Sequence, residues 1–330
     1  MIRSMKLTVR SSGHWNKNVT PRWGITSSFD TVIRQLEIAN IDLLPSLSSS
    51  PSLILTSDYG GQHKGATHET FSFLVADLAR CWEWNEERQS VRDTFFTEKR
   101  RMSYKALNDQ QRRSALLPFL FAADRVSGLL TTVLVNKRVG RSLNLTIEER
   151  EQLPPPIAKW PVQVLQKMTF VAHLGALLIA GLSSAGQNVL WFTDNDDFVA
   201  NDRRVIDLTP LFAGIISGYV GHDLGHFRLG TMQCDAGDLQ IEDLTAIPDL
   251  VSGAACEIPL DKTILTETAI KVPLRGHISP KALTILHWMG QRHMPLKRLL
   301  ILIDEGDFPG AIKVKALELF SDSLNELAFS

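Results

Sequence analysis

Two apolar runs in this 330-residue chain end in acid. "SLILTSD" (52–58) stops at Asp58, and "NVLWFTDND" (188–196) stops at Asp194 and Asp196. Each run is rich in β-formers and reads as a buried strand. A carboxylate at a strand end meets solvent yet is held by a rigid sheet, which suits a metal ligand. Two such carboxylates close together repel, so one is protonated unless a cation sits between them. Hard oxygen donors of this kind match Mg²⁺ or Mn²⁺. Asp is also common in turns after strands, so one alone carries little weight and a pair carries more. Alternation along a strand puts Asp194 and Asp196 on one face and leaves the choice between them open. Gly60 and Gly61, directly behind Asp58, are expected to turn the chain away so that metal and phosphate can approach.

Other residue types add to this set. "EKRRMSYKALNDQQRR" (98–113) brings six bases with Tyr104 among them. Of these, Lys99, Arg100, Arg101 and Lys105 are the candidates to track a nucleic-acid backbone; a solvated helix face is the competing reading. "GHDLGHF" spaces His222 and His226 four apart, as a zinc pair on a helix would. It has no accompanying glutamate, and Gly225 favours a turn. Trp82 and Trp84 offer rings for base stacking or for covering a sheet edge.

The elements that must position these groups follow from pattern. Residues 27–40 read as a capped helix and 44–52 as a Ser/Pro-rich connector. "LILTSD" and "ETFSFLVADLA" form a hairpin around "YGGQHKGATH", and "SVRDTFF" is expected to add a third strand. Residues 102–126 are expected to be helical with a break at Pro118, and 128–137 to be a buried strand. "LTIEEREQLPPPIAKWP" (145–161) marks a boundary or insertion. "VQVLQKMTFVAHLGALLIAGL" reads as a long buried helix holding His173, with an apolar stretch too short to span a bilayer comfortably. "FRLGTM" reads as a strand, and 238–257 as a helix interrupted near Pro248. A helix, the strand "RLLILID" and an amphipathic segment close the chain, and "KLTV" is a short strand near its start. Strands first, then helices alternating with strands, predict a mixed α/β sheet flanked by helices.

Composition sets bounds. The chain is 44% hydrophobic and 22% charged with a formal net charge of -1, so it lacks the global basic footprint of a DNA-coating protein. Three widely spaced cysteines argue for a reducing compartment and against a disulfide framework. The first residues have no apolar core of signal-peptide type, so a soluble, cytoplasmic protein without a membrane partner is expected.

Taken in order, these motifs resemble the RNase H-like superfamily. In detail they resemble a prokaryotic RNase H-like domain family of unknown function whose members open with an Asp-Glu-Ser-Gly type motif. Asp58-Tyr59-Gly60-Gly61 matches that first motif without its second acid. "FFTEKRRMSYKAL" is similar to the family's acidic-plus-Lys motif through Glu98 and Lys99, with more basic flanks. Asp194 matches a later strand-end aspartate. "LTAIPDLVSGA" follows the form "LQxADLVAGA", with Asp249 at the acidic position and Pro248 replacing a small residue. The resemblance spans about residues 53–257. It implies an RNase H-like domain over 51–260, with a possible insertion near 138–161, an N-terminal extension (1–50) and a C-terminal α/β addition (261–330).

The activity it implies is two-metal hydrolysis of phosphodiesters in DNA, RNA or a hybrid. Asp58 would bridge two Mg²⁺ or Mn²⁺ ions, Asp194 and Glu98 would bind one each, Asp249 would complete the second site, and Asp196 would replace or support Asp194. Two other readings stay open. One is a catalytically degenerate RNase H-like module, a subunit of a larger assembly concerned with mobile elements or phage. The other takes "DYGGQHKG" as the first phosphate loop of an actin-like or sugar-kinase-type ATP-binding domain. That reading needs a second glycine-rich loop, and "DNDDFVAND" is acidic instead.

Overall fold

A computed structural model describes residues 13–63, 65–96, 100–142, 145–194, 196–235, 237–260, 264–265, 269–274, 278–291, 294–308 and 310–320. The expected strand at "KLTV" and the site residues Glu98 and Lys99 lie outside the described residues. Among those described, nine strands form one sheet. They are β1 (Ser52–Gly60), β2 (His68–Asp77), β3 (Gly128–Asn136), β4 (Asn188–Thr193), β5 (Phe227–Thr231), β6 (Ile264–Leu265), β7 (Ala269–Pro273), β8 (Leu296–Glu305) and β9 (Ile312–Phe320). The order across the sheet is β5-β4-β1-β2-β3-β8-β9-β7-β6. β1, β2 and β3 are antiparallel neighbours, while β4 joins β1 in parallel and β5 joins β4 in parallel. On the other side β8 pairs in parallel with β3, so the C-terminal strands continue the same sheet.

The helices are α1 (Gly24–Ala39), α2 (Trp82–Phe95), α3 (Gln110–Ala123), α4 (Lys137–Ser142), α5 (Ile147–Glu151), α6 (Pro155–Ala158), α7 (Val162–Leu182), α8 (Asp202–Tyr219), α9 (Gln240–Ala255) and α10 (Pro280–Gly290). They cover both faces of the sheet, giving an α/β fold of three layers. One core joins α1, α7 and α8 to the face bearing Leu53, Leu55 and Trp191. The other joins α2, α3, α9 and α10 to the face bearing Ile54, Leu74 and Leu300. β1 is buried on both faces, which is why its sequence is a continuous apolar run rather than an alternating one. α7 is, among the described residues, the one helix long and apolar enough to cross a membrane, and most of it is buried in the fold.

The expectations at "SVRDTFF", Pro118 and Pro248 are corrected. "SVRDTFF" is not a strand but the end of α2 and the residue after it. The longer window shows why: Trp84, Arg88, Val91 and Arg92 recur at helical spacing and form the buried face. The helices containing Pro118 and Pro248 run through their prolines unbroken. The closing amphipathic segment is the strand β9 as far as Phe320.

Candidate active site

Register brings the two strand-end acids together. β1 and β4 run parallel, and their last register pair is Ser57 with Thr193. Asp58 and Asp194 follow directly, and Asp194 N still donates to Ser57 O at 3.2 Å. Neighbouring strands lie about 4.8 Å apart, so the two residues stand nearly side by side at the strand ends. Thr56, two residues before Asp58 and on the same face, donates from its hydroxyl to Leu244 O of α9 at 3.2 Å. Asp249 lies on that helix. Asp58, Asp194 and Asp249 line one cleft of about 680 Å³.

Pro248 takes part in this arrangement. A proline has no N–H for the carbonyl one turn back, here that of Leu244. Thr56 donates to that freed acceptor. The expected break is instead a fastening of α9 to β1, placed beside both Asp58 and Asp249. A second fastening runs from β2, where Thr70 Oγ1 donates to Ser252 O at 3.2 Å.

The glycines after Asp58 do something other than expected. β1 continues through Gly60, which pairs with Thr70 of β2. A Cβ on Gly60 would stand 2.7 Å from Thr70 Oγ1 and 2.8 Å from Ser252 Oγ. Gly61 has φ +77°, the left-handed conformation glycine adopts freely. The pair therefore lets β2 and α9 close on the strand end, and Asp58 is an inner residue of β1 at the limit of its pairing with β4.

Charge in the cleft is unbalanced. Burial pushes the Asp58 carboxyl well above the usual range, Asp249 and Asp194 push it the same way, and Lys167 opposes them. Burial pushes Asp249 up to about 6 against the pull of the Tyr104 N–H, which donates to it at 2.7 Å; Asp194 raises it and Lys105 lowers it. Among the described residues no three His, Cys, Asp or Glu side chains are grouped closely enough to hold a metal ion. What is present is a set of carboxylates lining one cleft, all hard oxygen donors, whose repulsion a divalent ion would relieve. Oxygen donors of this kind are the ones Mg²⁺ or Mn²⁺ takes.

Asp196 is not the equivalent of Asp194. Strand alternation ends with β4 at Thr193. Asp196 instead caps the short turn Asp197–Val199, and its carboxylate is paired with Lys167 of α7, in the opposite helical layer. Asp196 lines the edge of the cleft with its charge matched by that lysine. The Lys167 ammonium also lies 5.0 Å from the centroid of the Tyr59 ring. Tyr59 is tied in turn to Ser57 and Thr193 by hydrogen bonds of 2.7 and 3.0 Å.

The basic run divides. Arg101 and Lys105 line the cleft. Arg100 turns toward α3, donating to Gln111 Oε1 at 2.9 Å and facing Asp109 at 3.7 Å. Tyr104 holds Asp249 through its backbone, and its ring lies against Gly253, where a Cβ would fall within the ring. Its hydroxyl donates to Glu257, and Lys281 donates to its carbonyl at 3.1 Å. Sequence reasoning assigned Tyr104 only to the basic run and missed Glu242, which pairs with Arg101. The spacing of Glu242, Thr245, Asp249 and Ser252 along one helical face was the available signal.

The other candidates are structural. His222 sits in a turn, hydrogen-bonded to Asn16 and Ser183 at 3.2 and 3.0 Å. Trp84 is buried under Arg88, while Trp82 is exposed. A scan against protein-family models finds no match to the chain, and a search of curated proteins finds none either.

Proposed function

We propose that this chain is a Mg²⁺- or Mn²⁺-dependent phosphodiester hydrolase acting on nucleic acid, built on an RNase H-like sheet. The observation that carries the reading is the meeting of Asp58, Asp194 and Asp249, from β1, the end of β4 and α9, in one cleft beside Arg101 and Lys105. The position of β1, with β2 on one side and β4 on the other, agrees with the central place the resemblance gives the strand of the first aspartate. Asp58, Asp194 and Asp249 would hold the metal, and Glu98 is the further acid the resemblance implies. A divalent ion bound there supplies activation of water and neutralisation of phosphate charge. The chain's own residues set the stage: Tyr104 orients Asp249, Lys167 draws Asp196 aside, and Lys105 offers a cation to a phosphate. Three free cysteines are in keeping with a reducing, cytoplasmic setting.

One observation favours a second reading, a non-catalytic module in a larger assembly: among the described residues no three acids are grouped closely enough to hold a metal ion. Labelled single-stranded and duplex DNA, RNA and hybrid, incubated with Mg²⁺ or Mn²⁺, separate the two. Cleavage by wild type and none by Asp58→Ala is the expected result. Binding without cleavage under either ion favours the module. Equal cleavage by Asp58→Ala refutes the site.

A further inference from the structure

Glu242 is a buried acid of the cleft that the metal chemistry does not use. It is 4% exposed, on the same face of α9 as Asp249. One of its oxygens pairs with Arg101, and the other, Oε2, is buried without a hydrogen-bond partner. Burial pushes its carboxyl up; Arg101 draws it down, and Asp235 and Asp243 push it up. Those neighbours set it apart from the Asp58–Asp194–Asp249 cluster. Seven residues of helix separate Glu242 from Asp249, which is about 10 Å along the axis at 1.5 Å per residue. The cleft therefore has two poles, the acids at one and the Arg101 cation at the other.

Arg101 is fixed from behind and open in front. Arg92 Nη1 donates to Arg100 O at 3.2 Å, Arg112 Nε donates to Arg101 O at 2.7 Å, and Tyr104 N is bonded to Asp249. These bonds hold the main chain on both sides of Arg101. Its side chain is 57% exposed, while its partner Glu242 is 3% exposed. A guanidinium has five donors in a rigid fork, and a buried carboxylate at one edge leaves the others directed at the cleft. Such a group is prepared for the paired oxygens of a phosphate.

We propose that Arg101 anchors a second phosphate of a single nucleic-acid strand, flanking the phosphate at the acidic pole, and that Glu242 is the positioning residue that aims the guanidinium. The inference rests on the hydrolase reading and narrows its substrate to a strand with at least two phosphates, laid along α9 from Asp249 toward Glu242. Arg100, from the same basic run, takes no part.

The test is binding of a fluorescein-labelled single-stranded oligonucleotide, with Ca²⁺ replacing Mg²⁺, read by anisotropy between about 50 and 200 mM salt. Arg101→Gln alone would strand a buried charge on Glu242, so the pair is removed together as Arg101→Gln/Glu242→Gln. The expected result is about tenfold weaker binding, the loss of one charge-assisted contact. The salt slope should also fall by about 0.7. Arg100→Gln should leave both unchanged. Arg101→Lys keeps the ion pair and the charge but not the fork, so it should weaken binding at an unchanged slope; this variant decides the matter if the double variant melts early. Wild-type binding matched in affinity and slope by the double variant, or in affinity by Arg101→Lys, overturns the anchor and leaves the hydrolase reading standing. No binding of the single strand by wild type overturns the anchor, and the cleavage assay on duplex and hybrid then decides the hydrolase reading.

Discussion

Asp249→Asn separates the electrostatics of the acidic centre from its chemistry. The Asp249 carboxyl stands at about 6 in the folded protein against 3.8 for an ordinary aspartate. Between those values the folded protein keeps a proton that the unfolded chain releases. Stability therefore falls as pH rises from about 3.8 to about 6 and is level above. At pH 7 the gap costs about 3 kcal/mol, at about 1.4 kcal/mol per pH unit. Asparagine keeps an acceptor for the Tyr104 N–H and carries no charge, so it removes that cost at neutral pH. Near pH 4 wild type is itself protonated, and the substitution changes little. For 330 residues the entropy of unfolding is about 0.7 kcal/mol/K. The variant should thus melt about 4 °C above wild type at pH 7 and within about 1 °C of it near pH 4. Metal works the other way: an ion at ten times its Kd adds about 1.4 kcal/mol to wild type, and less to a variant lacking one donor. Scanning fluorimetry across this pH range, with and without MgCl₂ or MnCl₂, measures all three effects, and a cleavage assay beside it should show activity lost. A variant that melts below wild type at pH 7, or a gap that is constant with pH, refutes the account of a repulsive acidic cluster.

Two further substitutions test its supports. Gly253→Ala puts a Cβ into the Tyr104 ring and so disturbs the residue that holds Asp249. It should cost about 1–3 kcal/mol by urea denaturation and weaken Mn²⁺ binding by calorimetry; wild-type values in both would sink the claim that Tyr104 is packed for this purpose. His173 shares a 2.8 Å hydrogen bond with Tyr219, and burial pushes its imidazole down to about 4. The unfolded chain takes up that proton first, so stability is lost as pH falls from about 6.5 toward about 4, by at most about 3 kcal/mol. His173→Gln should flatten this limb of the urea-midpoint profile, and an unaltered limb would show that the proton is taken up elsewhere.

The acids are legible in the sequence for different reasons. Asp58 and Asp194 end apolar runs, whereas Asp249 is marked by its place in the motif "LTAIPDLVSGA". Asp196 is misplaced because alternation holds only as far as the strand, and β4 ends at Thr193. The outcome at Pro248 is invisible locally, since the partner for the freed Leu244 carbonyl is Thr56, distant in sequence. Glu242 has no strand end or turn to mark it; only the cleft-facing period of α9 does. By contrast "IKVKALELF" carries its own answer, because Ile312, Val314 and Ala316 alternate with Lys313 and Lys315, the period of a strand.

The place of β8 beside β3 has a consequence for synthesis. β3 ends at Asn136, and the strand that covers its far edge begins at Leu296. A ribosome adding about 5–20 residues per second needs roughly 8 to 30 s for the 160 residues between them (296 − 136). Throughout that interval one edge of β3 waits, though all of the strand but Asn136 is buried in the finished protein. An apolar edge left open recruits strands from other chains. A nascent chain cut off before β8 is therefore not a smaller version of the fold but a client for chaperones and proteases, with the middle of its sheet laid bare.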